Sequence, residues 1–121
     1  MHPIILKGKV IKGKSRGAGL GFPTANIKLH QKMDQGIYIS KVHLDKKTYP
    51  ALTFIGAAET FAEKEVTAES YLLNFKENLY GKIISVTLLK KIRDSQKFKS
   101  AEDLIAQMEK DKKEAQIYFK I

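Results

Sequence analysis

The sequence predicts a mainly β domain of antiparallel strands that ends in one α-helix. Three observations predict this. Short apolar runs that alternate with polar residues fill the region from Lys7 to Ile92. Turn residues punctuate them at intervals suited to hairpins. Only the last 20 or so residues switch to helical spacing, with Ala101, Leu104, Ile105, Met108, Lys112, Ala115 and Phe119 on one stripe.

Each element can be justified in order. Lys7 to Lys12 reads as a first strand, and Thr24 to Leu29 as a second. Ile27 and Leu29 lie on one face of the second strand; Thr24 and Asn26 share the other. Gly36 to Leu44 is the clearest strand, with Ile37 and Ile39 alternating with Tyr38, Ser40, Val42 and Leu44. Asp45-Lys46-Lys47 turns the chain into a partner strand, Thr48 to Ile55, with Pro50 near its start, where a missing N–H is tolerated. Gly56 ends it, and Ala57 to Lys64 reads as a loop with a short helical turn. Val66 to Phe75 puts Thr67, Glu69, Tyr71, Leu73 and Phe75 on one face. A carboxylate among such neighbours is unusual, because acids are rarely buried unless paired. Glu77-Asn78 turns the chain into a long strand from Tyr80 to Ile92. Arg93 to Lys99 is a polar loop. Ser100, followed by Glu102 and Asp103, has the signature of a helix start.

With 121 residues and no repeat or interdomain linker, the chain reads as one domain, residues 1–121. It has no Cys, which excludes a disulfide framework, a thiolate metal site and a Cys nucleophile. Its three histidines lack ligand spacing. No apolar run is long enough to span a membrane or form a signal-peptide core, so a cytoplasmic location is expected. The net charge is +9. Seven basic residues and no acidic one fall in residues 1–33, so the excess lies at the N-terminal end. Such a field suits an anionic ligand, a solubilising surface or nucleic acid, and charge alone does not separate them.

The same region holds the chain's most informative stretch, Gly8 to Asn26, with five of the eight glycines. Glycine-rich backbone offers a concavity of N–H groups to an anion. Lys7, Lys9, Lys12, Lys14 and Arg16 surround it with positive charge. Gly8-x-x-x-x-Gly13-Lys14-Ser15 satisfies the P-loop pattern, but the required helix would have to cross Gly17, Gly19, Gly21 and Pro23.

The second half of the stretch explains it better. Gly8-x-Val10, Gly13, Arg16-Gly17 and Leu20-Gly21-Phe22-Pro23-Thr24-Ala25-Asn26 resemble the signature of the riboflavin kinase family, without gaps. Further matches cover roughly residues 7–117. Gly36-Ile37-Tyr38, Ile55-Gly56 with Thr60-Phe61, and Glu69-Ser70-Tyr71-Leu72-Leu73-Asn74-Phe75 resemble family segments. So do Tyr80-Gly81-Lys82, Ile92-Arg93, Lys97-Phe98, Ser100, Leu104, Asp111 and Ala115. The resemblance implies a six-stranded antiparallel barrel with a C-terminal helix. It implies transfer of the ATP γ-phosphoryl group to the 5′-hydroxyl of riboflavin, giving FMN and ADP. Gly13, Lys14, Arg16, Gly17, Gly19, Gly21, Pro23, Thr24 and Asn26 would then bind nucleotide phosphates. Thr24 and Asn26 would hold Mg²⁺, Glu69 would be the catalytic base, and Tyr71 and Arg93 would lie on the flavin side.

The sequence departs from the family pattern at four places. Phe54 stands where many members have Asn, Glu59 where Pro is usual, Tyr71 for a common His and Asn74 for a common Asp. These fall near the flavin side and bear on the flavin accepted. Many bacterial members carry an N-terminal adenylyltransferase domain. This chain starts six residues before its first strand, so that domain is expected to be absent, whether as a single-function kinase or as an excised domain. A monomer is expected. Two alternatives stay open: a non-catalytic nucleotide or flavin sensor on the same fold, and a basic nucleic-acid-binding barrel.

Overall fold

A computed structural model describes residues 3–11, 24–59, 64–75 and 77–121. Six strands and one helix follow in the order β1 (Ile4–Lys9), β2 (Thr24–Leu29), β3 (Gly36–Leu44), β4 (Lys47–Glu59), β5 (Lys64–Leu72), β6 (Ile83–Arg93) and α1 (Ala101–Phe119). All pairings are antiparallel, in the sheet order β1-β6-β3-β4-β5-β2. The two ends of that order meet just past β1, where the Ile11 N–H donates to the Asn26 carbonyl over 2.8 Å. The sheet is a nearly closed barrel, as the family resemblance implies.

Alternation along the strands sorts the apolar residues into two cores. Leu6, Ala25, Ile27, Val42, Ile55, Ala68, Ile84 and Val86 fill the barrel interior. A short polar chain runs through it: the hydroxyls of Ser40, Thr53 and Ser70 hydrogen-bond in sequence at 2.7 and 2.8 Å, and all three residues are fully buried. The second core lies outside the barrel. Ile37, Ile39, Leu52, Tyr71 and Leu73 of the sheet pack beneath Met108 and Ala115 of α1. The helix begins where predicted. The Ser100 hydroxyl accepts from the Asp103 N–H, Glu102 and Asp103 occupy the first turn, and Lys120 closes the other end in the left-handed region.

Several boundaries differ from the sequence reading. β1 starts earlier, at Ile4, because Ile4, Ile5 and Leu6 find partners on β6. β4 continues to Glu59 and β5 begins at Lys64; the expected loop at Ala57 is strand, paired Ala57 with Val66 and Glu59 with Lys64. β5 ends at Leu72, where Asn74 takes a positive φ of 57°. That turn carries Phe75 to the opposite side of the sheet from Leu73, against the barrel core, edge-on to Tyr49. β6 starts at Ile83 because Tyr80 and Gly81 form a turn, with Gly81 at φ 84°.

Two irregularities in the β3–β6 pairing, between Ile37 and Tyr38 and between Ile39 and Ser40, bend the end of β6 and set Arg93 opposite Ile37. Gly36 permits this. A Cβ there would lie 2.6 Å from the Arg93 carbonyl oxygen, at a φ of 149°.

Candidate active site

The register of four strand pairs draws one row of side chains across the outer face. Asn26 faces Glu69, Glu69 faces Phe54, Phe54 faces Ile37, and Ile37 faces Arg93. A neighbouring row runs from Thr24 to Tyr71 to Leu52 to Ile39. Residues that are 67 positions apart in sequence thus share one surface, because opposite residues of antiparallel strands project to the same side.

Glu69 is 4 % exposed, among the most buried carboxylates of the described residues. The Tyr71 hydroxyl donates to its Oε1 over 2.6 Å. Among the described residues no Lys or Arg forms an ion pair with it. Asn26 is also 4 % exposed, and Thr24 is half-buried beside it on the same face of β2.

A cavity of about 600 Å³ opens next to this row. Ile37, Leu52, Phe54, Tyr71 and Leu73 line it from the sheet, and Leu104 and Met108 from α1. The segment from Gln96 to Ala101 forms the remaining wall, with Lys97, Lys99 and Lys112 among the lining residues. The size and the largely apolar lining suit a small organic ligand. Phe54 keeps its place because β4 carries glycine two residues on. A Cβ on Gly56 would fall against Cε1 and Cζ of the Phe54 ring.

Arg93 also lines the cavity, and it is clamped. Its Nε donates to both Asp111 oxygens, at 2.9 and 3.2 Å, and its Nη2 to Oδ2 at 2.7 Å. Gln107 adds a donor to Asp111 Oδ1 at 3.0 Å, and the guanidinium carbon lies 5.9 Å from the Phe98 ring centroid. The pair therefore ties the end of β6 to the middle of α1. Sequence reasoning put Arg93 on the flavin side but gave Asp111 no role. The signal available was an acid at helical spacing from Leu104, Met108 and Ala115.

The loop after β6 has a second tether. Lys91 bridges Asp94 at 2.7 Å and Asp34 at 2.9 Å. Its hydrogen bonds to Asp94 and then Asp34 hold its ammonium well above the ordinary lysine range. The same bond pulls the Asp94 carboxyl below its usual range.

The structure thus brings Thr24, Asn26, Glu69, Tyr71 and Arg93 onto one face. Gly13, Lys14, Arg16, Gly17, Gly19, Gly21 and Pro23 lie outside the described residues, as does the core of the glycine-rich stretch. Of the four departures, Phe54 and Tyr71 line the cavity, Asn74 makes the turn that ends β5, and Glu59 closes β4. No group of three or more His, Asp or Glu residues among those described could cage a metal ion. Thr24 and Asn26 offer two oxygen donors on one face, which fits a hard ion that takes its remaining oxygens from water and phosphate.

The riboflavin kinase (Flavokinase) family pattern matches residues 1–119. The chain belongs to the riboflavin kinase family. It is 42 % identical over 122 residues to the trifunctional protein RibF/MnmA of Mycoplasmoides gallisepticum, covering 98 % of this chain and 19 % of that protein. It is 37 % identical over 124 residues to the bifunctional riboflavin kinase/FMN adenylyltransferase of Bacillus subtilis, covering 98 % and 39 %. The chain therefore spans about two-fifths of that bifunctional relative and less of the trifunctional one. Among solved structures, a crystal structure described as a macrolide-efflux protein from Streptococcus pneumoniae matches with a TM-score of 0.84 at 32 % identity, over 92 % of this chain and 38 % of that one. Riboflavin kinase from Trypanosoma brucei matches with a TM-score of 0.68 at 26 % identity, over 99 % and 82 %. Among the described residues no helix is long and apolar enough to cross a membrane.

Proposed function

We propose that this family member phosphorylates riboflavin, taking the γ-phosphoryl group of ATP and giving FMN and ADP. One observation carries the reading: a buried carboxylate, Glu69, stands between Asn26 and Phe54 in a row that borders an apolar cavity of about 600 Å³. The cavity would take the flavin ring between the sheet and α1. The ribityl chain would then run along the row toward Glu69.

In the reaction the ribityl 5′-oxygen attacks the γ-phosphorus. The bond from that phosphorus to the β–γ bridging oxygen breaks, and ADP leaves. Glu69 accepts the hydroxyl proton. Phosphoryl transfer of this kind depends on alignment and on neutralising phosphate charge more than on covalent chemistry. We assign the ATP phosphates to the cationic, glycine-rich stretch between β1 and β2, on its sequence. Thr24 and Asn26 would hold Mg²⁺, which when bound neutralises phosphate charge. With only 4 % of its surface exposed, the Glu69 carboxylate is kept away from bulk water. We take the working form to be a cytoplasmic monomer.

The test is chromatographic detection of FMN from purified protein with riboflavin, Mg²⁺ and ATP, beside the Glu69→Gln variant. We expect FMN from the wild type and a loss of roughly 10²- to 10⁴-fold in the variant, with ATP binding nearly intact. Absence of FMN from folded wild type would sink the reading. Unchanged turnover in the variant would remove Glu69 from it.

A further inference from the structure

A buried carboxylate needs a partner, and Glu69 has no ion pair among the described residues. Its donor is the Tyr71 hydroxyl, at 2.6 Å from Oε1. The bond is short, and a hydrogen bond to a charged carboxylate is about twice as strong as a neutral one. Geometry allows it because the two residues stand two apart on β5, so both side chains leave the same face. Tyr71 is itself only 9 % exposed, wedged between the cavity and the second core. Its ring therefore has little freedom, and neither does the proton it presents.

We infer that Tyr71 is a positioning residue: its hydroxyl holds Glu69 by Oε1 and leaves Oε2 to meet the acceptor's hydroxyl. The inference rests on the proposed phosphotransfer with Glu69 as base. It adds a link that the reaction alone does not require. Tyr71 lines the cavity and Glu69 is not among the lining residues, so the phenol is the side chain that connects the acceptor's pocket to the base. A His at this place would also present a ring N–H donor, so the same task admits a second side chain.

The experiment compares Tyr71→Phe and Tyr71→His with the wild type in steady-state assays. For Phe we expect kcat to fall about 10- to 100-fold, the loss of one hydrogen bond to a charged group. The KM for ATP should stay within about 2-fold, because only the acceptor side is touched. His should recover most of kcat. A wall residue without this task would raise the KM for riboflavin and spare kcat, and that result overturns the inference. A second readout does not depend on turnover. The chain has no Trp, so its tyrosine emission can be read directly. A phenol bonded to a carboxylate is quenched by proton transfer in the excited state. Glu69→Gln should therefore brighten emission in the Tyr71 background and leave it unchanged in the Tyr71→Phe background. Equal changes in both backgrounds overturn the inference whatever the kinetics. Coupled emission without FMN from the wild type would instead overturn the phosphotransfer reading, and with it Tyr71's part in turnover, while supporting the hold on Glu69.

Discussion

Replacing Asp111 by Ala should loosen α1 from the barrel. The substitution removes three hydrogen bonds to Arg93 and leaves its guanidinium facing a gap. Breaking a buried pair by deleting one partner costs about 3–5 kcal/mol. Here the Asp111 side chain is 5 % exposed but that of Arg93 is 17 % exposed. Water can reach part of the stranded cation, and Nη1 keeps its bond to the Asp94 carbonyl at 3.2 Å. The loss should therefore fall at about 2–3 kcal/mol. For a domain of this size each kcal/mol moves the melting temperature by roughly 4 °C, which gives a drop of about 8–12 °C. Urea unfolding followed by circular dichroism measures the loss, and melting gives the shift. The control is the double variant Arg93→Met/Asp111→Leu, which replaces both charges by apolar groups. It should recover most of the stability, since such swaps are often neutral. A loss under about 1 kcal/mol, the range of solvated surface pairs, would refute the reasoning. So would a double variant no more stable than Asp111→Ala.

Other predictions concern the cavity and the alkaline limb. Gly56→Ala would force the Phe54 ring off its seat, and we expect a stability loss of about 1–3 kcal/mol together with weaker riboflavin binding by calorimetry; unchanged binding would mean that Phe54 does not set the cavity's shape. Tyr38 donates to the Asp34 carbonyl at 2.6 Å, and burial, followed by the Asp34 charge, raises its phenol above the ordinary 10.0. A folded value above the unfolded one gives stability that is complete below pH 10.0 and lost as pH rises through the folded value. Lys91 is raised too and adds loss of the same sign. Tyr38→Phe should therefore flatten the fall in urea midpoint between about pH 9 and 11, and parallel curves for the two proteins would contradict this. The turnover losses expected for Glu69→Gln and Tyr71→Phe complete the set.

β2 and β3 were legible to the residue, because in both an apolar face alternates cleanly with a second face. The extension of β4 through Ala57 and Ala58 was not, since two alanines carry no alternation and only pairing with β5 makes them strand. Phe75 was placed on the wrong face because a period of two cannot anticipate the left-handed Asn74. At the site, Glu69 stood out as an acid with apolar neighbours, and Thr24 and Asn26 as a pair on one face. The Tyr71–Glu69 bond was within reach of the same spacing argument. The Arg93–Asp111 clamp was not: it joins a strand end to a helix, and the aim of Arg93 depends on irregular pairing far from either residue. Phe54 was readable only as a departure, and its seat over Gly56 needs coordinates.

The sheet order has a consequence for how the chain is made. β1 ends at Lys9, but its partner β6 begins only at Ile83. On a ribosome adding about 5–20 residues per second, the first strand would wait roughly 4 to 15 s for its partner. The β3–β4–β5 meander can form during that interval from neighbouring hairpins, and β2 can join it through β5. The first strand spends the same time with Ile4, Ile5 and Leu6 unpaired, a short segment of the kind that recruits other strands. Lys7 and Lys9 follow directly, and charges of that kind beside an apolar strand discourage such pairing. The lysines that carry part of the N-terminal positive charge would thus also guard the nascent chain.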